Sequence, residues 1–163
     1  MKKIKKTDYQ DSALFMNSWP IYNRIIHMHE TDRSGVIHFN NYFKIAEEAL
    51  YSALKRLGVS FEKFECAISV MSTQANFYQP IKFADHISVI ITSIKTQQEQ
   101  LVFNYDFNNS DHICLTQIQL AIVLIDTKNR KTVSIPKNLK DRLKQKASDQ
   151  DGKDSTSSIQ IYT

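Results

Sequence analysis

The sequence contains few of the residues that metal-binding, disulfide-stapled and nucleotide-cradling proteins need. Its 163 residues include two cysteines, Cys66 and Cys114, whose spacing fits neither a disulfide framework nor a metal site, so we expect a reducing, cytoplasmic location. The three glycines are too few to build a glycine-rich loop for a dinucleotide. The G-x-S-x-G motif of serine hydrolases and the H-E-x-x-H motif of zinc enzymes do not occur either. We therefore expect no metal and no bound cofactor.

Long apolar runs are also missing. No stretch approaches the roughly 18 apolar residues that a membrane-spanning helix needs. The basic start, MKKIKK, is followed by the polar run TDYQDS and not by the apolar core of a signal peptide. We therefore expect no signal peptide and no contact with a membrane.

The excess of positive charge lies at the two ends of the sequence. The formal net charge is +4, yet residues 7–136 hold more acidic than basic side chains. A basic excess confined to the ends is typical of solvated surface and not of a nucleic-acid-binding stripe. We expect no nucleic-acid partner.

Two polar segments frame one predicted domain. Residues 1–17 mix lysine with polar side chains, and residues 147–163 are polar and poor in aromatic residues. Such compositions are typical of flexible chain ends. We predict a flexible N-terminal segment over 1–17, one folded domain over 18–146, and a flexible C-terminal tail over 147–163.

One long amphipathic helix is predicted near the start of the domain. Starting with Phe39, apolar residues recur at spacings of three and four, which predicts a helix over 41–57 with a single apolar face. Asn40 or Asn41 is expected to cap its start, because a short side-chain oxygen can accept a free N–H of the first turn. Gly58 stands where a glycine usually ends a helix.

Strands dominate the rest of the domain. The residue types predict strands over 20–29, 67–79, 86–95, 101–107 and 112–125. The run LAIVLI at the end of the last strand is apolar on both faces, which indicates a central position in the sheet. After Pro136 we expect a short helix that packs through Leu139 and Leu143. One long helix and several such strands predict an α+β domain with an antiparallel sheet, whose open edge favours pairing with a second copy.

The segment between the first strand and the helix carries the candidate chemistry. Residues 29–42 read H-E-T-D-R-S-G-V-I-H-F-N-N-Y, with Asp32 on a turn and Gly35 three residues later. The first N–H groups of the following helix are unpaired and partly positive. They can polarise a carbonyl that a nearby carboxylate attacks, or that a water activated by it attacks. An aspartate before a helix is also a common turn former or cap, so the residues alone leave both roles open.

These residues resemble the signature of the 4-hydroxybenzoyl-CoA thioesterase family of hotdog proteins, T-D-x-x-G-V-V-Y-x-x-x-Y followed by a helix with an internal glutamate. The matching residues are Thr31-Asp32, Gly35-Val36-Ile37, Phe39-Asn40-Asn41-Tyr42 and Glu47. Residues 78–85 (Y-Q-P-I-K-F-A-D) resemble the Y-x-x-P-x-x-x-x-D turn of the family, with one residue fewer between Tyr and Pro, and residues 133–136 resemble its closing segment. The resemblance covers residues 20–145.

The resemblance implies a fold, an assembly and a set of site residues. The fold is the hotdog, a long central helix wrapped by a strongly curved antiparallel sheet, in a homodimer or homotetramer with acyl-CoA sites at the subunit interfaces. Asp32 is implied as nucleophile or general base, and the backbone N–H of Phe39 as the oxyanion donor. His38, where the family often has Tyr, and Asn40 are candidate substrate contacts; the alternative for His38 is a partly buried structural role. Glu47 is the reserve carboxylate, because a separate class of hotdog thioesterases uses a helix glutamate.

Several further residues have weaker assignments. We expect Glu47 to make a structural hydrogen bond and Glu48 to face solvent, since Asp32 already supplies the carboxylate. The CoA arm of such a substrate needs basic residues for its phosphates. The candidates are Lys82, Lys128, Arg130 and Lys131.

Only a resemblance to known enzymes narrows the choice of substrate. Residues 37–42, with Phe39-Asn40 at their centre, and the later Glu48-Ala49 are similar to the 1,4-dihydroxy-2-naphthoyl-CoA hydrolases of cyanobacterial phylloquinone (vitamin K1) synthesis. The first candidate function is therefore hydrolysis of 1,4-dihydroxy-2-naphthoyl-CoA to the free acid and CoA. Two alternatives stay open: a short-chain or general thioesterase for acyl-CoA or acyl carrier protein, and a non-catalytic hotdog protein that binds acyl-CoA.

Overall fold

A long helix packs against one face of a curled antiparallel sheet. A computed structural model describes residues 19–56, 58–59, 65–97 and 99–148. In chain order the elements are β1 (Tyr22–Ile25), a 3₁₀ turn (Met28–Glu30), α1 (Phe39–Arg56), β2 (Cys66–Phe77), β3 (His86–Gln97), β4 (Gln100–Asn108), β5 (Cys114–Asp126), β6 (Thr132–Val133) and α2 (Lys137–Ser148). The two segments predicted to be flexible lie outside the described residues, apart from 147 and 148.

The strands form one sheet in the order β1-β3-β4-β5-β2, with β6 paired to β5. Every pairing is antiparallel. β5 lies between β4 and β2, so the prediction that its apolar run occupies a central position is confirmed. β2 borders the sheet and pairs only with β5 among the described strands, which leaves a 12-residue edge.

The core lies between α1 and the concave face of the sheet. The large side chains Phe103, Tyr105 and Phe107 of β4 are each 0% exposed, as the alternation of this strand predicts. Burying each of them stabilises the fold by about 1.5–3 kcal/mol. α1 contributes the other side of this core through a single apolar stripe. Its buried members are Tyr42, Ile45, Ala46, Ala49, Leu50, Ala53 and Leu54.

The start of α1 differs from the prediction. The helix begins at Phe39, so Asn40 and Asn41 lie inside its first turn and the prediction that one of them caps it is wrong. The Phe39 side chain is 62% exposed, and its predicted place in the apolar stripe is also wrong. The stripe begins only at Tyr42, because the sheet does not cover the first turn.

The end of α1 agrees with the prediction. Gly58 adopts a φ of +67°, a region that side chains with a Cβ rarely enter. Its N–H donates to the carbonyl of Lys55 at 3.1 Å, and the N–H of Val59 donates to the carbonyl of Leu54 at 2.9 Å. These bonds satisfy carbonyls that the helix end would otherwise leave free.

α2 also follows its prediction. It starts directly after Pro136, and its Leu139 and Leu143 side chains are 0% and 4% exposed within the core. Within the described ranges, no helix combines the length and hydropathy that crossing a membrane requires.

Candidate active site

Asp32 lies on a tight turn closed by a bridge between Thr31 and Ile37. The Asp32 N–H donates to the carbonyl of Val36 at 2.8 Å, and the Gly35 N–H donates to the carbonyl of Asp32 at 3.0 Å. Gly35 has a φ of +76°, which explains why a residue without a Cβ stands there. The turn therefore presents the Asp32 side chain outward at a fixed position.

Hydrogen bonds keep the Asp32 carboxylate ionised. Its Oδ1 accepts the Ser34 hydroxyl at 2.5 Å and the Ser34 N–H at 2.8 Å. The Ser34 hydroxyl, then its N–H, then the Val36 N–H and the charge of His38 hold the pKa of Asp32 below its ordinary value. Both bonds from Ser34 go to Oδ1 and none to Oδ2. Asp32 thus offers an exposed, charged oxygen.

The start of α1 offers two free backbone donors. The His38 N–H donates to the carbonyl of Glu30 at 2.9 Å, and the Asn41 N–H donates to the carbonyl of His38 at 2.9 Å. In the part of the chain that the structure describes, the N–H groups of Phe39 and Asn40 have no acceptor. They carry the positive end of the helix dipole and can bind an oxyanion.

His38 and Asn40 lie on the surface beside these donors. The imidazole Nδ1 of His38 is 2.7 Å from Oδ1 of Asn40, and its ring centroid is 4.7 Å from that of Phe39. His38 is exposed, so the partly buried structural role is wrong: the residue precedes the helix at a place that no other element within the described ranges covers. The structure thus brings His38, Phe39 and Asn40 together. Asp32 lies on the turn that leads into them, close enough for the charge of His38 to act on its carboxylate.

One of the two helix glutamates matches its expected environment. The Glu48 side chain is 51% exposed, as predicted, whereas the structural hydrogen bond expected of Glu47 is not found among the described residues. Glu48 accepts hydrogen bonds from Arg24 at 2.7 Å and from the Tyr22 hydroxyl at 3.0 Å. Glu47 is exposed and has no hydrogen bond within the described residues. It lies eight residues after Phe39, or about 12 Å along the helix axis. The reserve carboxylate is therefore separate from the Asp32 cluster of the same protomer.

A cavity of about 370 Å³ opens beside the first turn of α1. It is lined mainly by Val36, Phe39, Tyr42, Phe77, Tyr78 and Pro80. Such aromatic and apolar walls suit a small flat or apolar group. Asp32 is outside the lining but lies on the turn that supplies Val36. A second cavity, of about 410 Å³ near the start of β3, contains none of the predicted site residues.

The two sequence motifs meet at this cavity. The Ile37 N–H donates to the carbonyl of Ile81 at 2.8 Å, and the Phe83 N–H donates to the carbonyl of Gly35 at 3.0 Å. A further bridge joins Val36 to Lys82. The loop after β2 is therefore fixed against the Asp32 turn. The cavity wall from Phe77 to Pro80 was not among the predicted site residues. Its only signal in the sequence is the motif over residues 78–85.

The candidate phosphate ligands are divided between the two ends of the sheet. Lys82 follows β2 and lies beside the Asp32 turn. Lys128, Arg130 and Lys131 lie in the turn after β5, whose last residue pairs with the start of β2. The 12 residues of β2 separate these two positions by about 36 Å. A single protomer cannot bring the four residues to one phosphate group.

The observed fold and a match to a family model indicate the same class of protein. Residues 26–143 match the model of the Thioesterase-like superfamily, and the chain belongs to that superfamily. The long helix and the curled antiparallel sheet confirm the predicted hotdog fold. The predicted class of enzyme, an acyl-CoA thioester hydrolase, is confirmed by relatives that carry this activity in their names.

Two relatives and one solved structure carry names that specify the same substrate. A 1,4-dihydroxy-2-naphthoyl-CoA hydrolase of Crocosphaera subtropica is 28% identical over 96 residues, 56% of this chain and 70% of the relative. That of Thermosynechococcus vestitus is 29% identical over 129 residues, 74% of this chain and 87% of the relative. The structure of a 1,4-dihydroxy-2-naphthoyl-CoA thioesterase of Synechocystis is 21% identical and shows the same fold. Its TM-score is 0.66 over 80% of this chain and 96% of that one.

Proposed function

We propose that this protein hydrolyses 1,4-dihydroxy-2-naphthoyl-CoA to the free acid and CoA, a step of phylloquinone synthesis. The observation that carries the proposal is an ionised Asp32 carboxylate on the turn that leads into the unpaired N–H of Phe39, with an aromatic cavity lined by residues of both segments. The names of the relatives support this substrate. Within the superfamily we further propose membership of the 4-hydroxybenzoyl-CoA thioesterase family, which the signature residues support. The low cysteine content, two in 163 residues, suits a cytoplasmic enzyme.

The chemistry follows from the two groups. The thioester oxygen accepts the Phe39 N–H, and the helix end stabilises the negative charge that develops on this oxygen. Oδ2 of Asp32 either attacks the thioester carbon or removes a proton from an attacking water. In the first route CoA leaves as a thiolate, and water then hydrolyses the acyl–aspartyl anhydride. Both routes consume one water and release the same acid and thiol.

The cavity accounts for an aromatic acyl group. Phe77 is 52% exposed at its mouth, and its ring lies 4.9 Å from that of Tyr42 at an interplanar angle of 67°. A flat bicyclic ring system can stack against such walls, and each aromatic contact contributes about 0.5–1.5 kcal/mol beyond its buried area. His38 and Asn40 are placed to contact polar groups of the substrate.

A second copy completes this site. The open edge of β2 exposes Val70 by 45% and Met71 by 58%, and the strand is irregular at its midpoint, between Val70 and Ser72. Two such edges pair antiparallel about an axis near Met71. This pairing places the start of one β2 beside the end of the other. The basic turn over 127–131 of the partner then reaches the cavity, where it binds the CoA phosphates together with Lys82. The assembly is a homodimer, or a homotetramer built from it.

The test is release of free thiol from a panel of thioesters: 1,4-dihydroxy-2-naphthoyl-CoA, benzoyl-CoA, short aliphatic acyl-CoAs and an acylated acyl carrier protein. We expect kcat/KM to be highest for the naphthoyl thioester. Comparable values for aliphatic or carrier-protein substrates would make the protein a general thioesterase. Tight binding without release of CoA from any substrate would make it a binding protein.

The pH dependence tests the role of Ser34. Because Asp32 works as a carboxylate, activity is lost as the pH falls through its pKa, which Ser34 lowers. Ser34→Ala removes the strongest of these hydrogen bonds and raises that pKa, so the acid limb of kcat/KM moves to higher pH. Ser134→Ala is the control, since the Ser134 hydroxyl also donates to a carboxylate, that of Glu99, at 2.9 Å. An acid limb that stays in place in Ser34→Ala would contradict this role.

Gly35→Ala tests whether the geometry of the Asp32 turn affects catalysis separately from the stability of the fold. A Cβ at Gly35 meets no heavy atom within 4 Å, but the left-handed backbone costs about 1–2 kcal/mol with a side chain. Gly58→Ala is a matched control, with φ +67° and equally free space. Urea unfolding is expected to show similar destabilisation in both, whereas only Gly35→Ala lowers kcat. Equal losses of kcat would show that the Asp32 turn needs no special geometry.

A further inference from the structure

One arginine ties three parts of the protein together behind the site. Arg24 of β1 contacts Glu30 at 2.5 Å through one guanidinium nitrogen and Glu48 of α1 at 2.7 Å through the other. The side chains of Arg24 and Glu30 are only 12% and 10% exposed. The arginine therefore joins the first strand, the segment before the Asp32 turn and the middle of the helix.

Hydrogen bonds to Glu30 fix the segment that carries both proposed catalytic groups. Its backbone carbonyl accepts the His38 N–H at 2.9 Å and the Asn41 side-chain amide at 2.7 Å, which fixes the start of α1. Its second carboxylate oxygen accepts the His27 N–H at 2.8 Å. The loop from 31 to 38 leaves Glu30 and returns to it. The Asp32 carboxylate stands near one end of this loop, and the Phe39 N–H directly follows the other.

We propose that Arg24 and Glu30 are a positioning pair for thioester hydrolysis, which sets the separation between the Asp32 carboxylate and the Phe39 N–H. This inference rests on the proposed function. Neither side chain lines the aromatic cavity, so they act through the loop and not on the acyl group. Attack and oxyanion binding occur on one carbonyl group, so both catalytic groups must reach adjacent atoms. An error of about 1 Å in such an arrangement costs roughly 100-fold in rate.

The chemistry of the pair fits this role better than a role in stability alone. A buried ion pair stabilises a fold no more than a well-packed apolar pair of similar volume. Arginine, however, presents several donors in a planar fork, which holds two carboxylates at set angles. Lysine has one ammonium and cannot reproduce the bridge from Glu30 to Glu48 in the same geometry.

The experiment compares Arg24→Gln, Arg24→Lys and the control Arg56→Gln. Arg56 is an exposed arginine at the end of α1, where it donates to the Ile21 carbonyl at 3.3 Å. We expect Arg24→Gln to lower kcat by about 10- to 100-fold, with KM little changed because the cavity walls are intact. Arg24→Lys should recover part of kcat, and Arg56→Gln should match the wild type. The acid limb stays in place, since Ser34 sets the pKa of Asp32 most strongly.

Hydrogen exchange provides a readout that needs no substrate. In Arg24→Gln we expect faster amide exchange over residues 27–41 than in the wild type or Arg56→Gln, with similar protection of β4 and β5. Unchanged kcat and exchange in a folded Arg24→Gln would overturn the proposal, as would a rise of KM alone. If Arg24→Gln does not fold, a wild-type kcat in Arg24→Lys would overturn it. A wild type without thioesterase activity would defeat the proposed function, while the exchange result would still decide on positioning.

Discussion

Asp32→Asn is expected to lower kcat on the naphthoyl thioester by about three to four orders of magnitude. Asparagine has the shape of aspartate and can still accept the Ser34 hydroxyl, which now donates to Oδ1 at 2.5 Å. It carries no charge, so it can neither form an acyl anhydride nor take a proton from water. Substrate binding is expected to persist, because the substitution leaves the cavity walls and the Phe39 N–H unchanged.

The measurement combines steady-state kinetics with direct binding of the intact thioester to Asp32→Asn. Asp111→Asn is the control, because Asp111 is an exposed aspartate on the turn between β4 and β5. It should keep the wild-type kcat. An Asp32→Asn protein with nearly full activity would remove Asp32 from the mechanism and make Glu47 the candidate carboxylate.

Met71→Asp is expected to separate the subunits and to reduce kcat/KM by about 100-fold. In a pair of β2 edges related by a twofold axis near Met71, the substitution places two carboxylates against each other. In the proposed assembly, separation also removes the basic turn by which the partner would complete each site. The loss of activity follows from an incomplete site, because the fold of each subunit does not depend on this exposed side chain.

Light scattering after size-exclusion chromatography measures the assembly, and CoA release measures the consequence. Ile113→Asp is the matched control, since Ile113 is 48% exposed, close to the 58% of Met71, and lies away from the β2 edge. It should remain assembled and active. A Met71→Asp protein that is monomeric yet fully active would show that one protomer contains the whole site.

The fold was predictable where the pattern is local. The period of α1 and the alternation of β4 each record which side chains face the core, and the Gly58 backbone follows from its position after the stripe. The exposed Phe39 was not predictable in this way. It continues the helical spacing, and only the tertiary structure shows that the sheet ends before the first turn of α1.

The candidate site was likewise predictable only where its residues are neighbours in the sequence. Asp32 and Gly35 lie within one turn, so their relation is fixed by neighbouring residues. The pairing of Arg24 with Glu48 and not with Glu47 depends on where β1 lies against the helix. The wall at Phe77 and the bridge from Arg24 to Glu30 likewise join elements that are distant in sequence or differ in type. No periodicity records such contacts.

The central claim is that Asp32, beside the start of α1, hydrolyses an aromatic acyl-CoA. The most direct measurement is CoA release from 1,4-dihydroxy-2-naphthoyl-CoA by the wild type and Asp32→Asn in parallel, followed with a thiol reagent. We predict rapid release by the wild type and almost none by Asp32→Asn. Equal release by the two proteins, or none by the wild type, would contradict the claim.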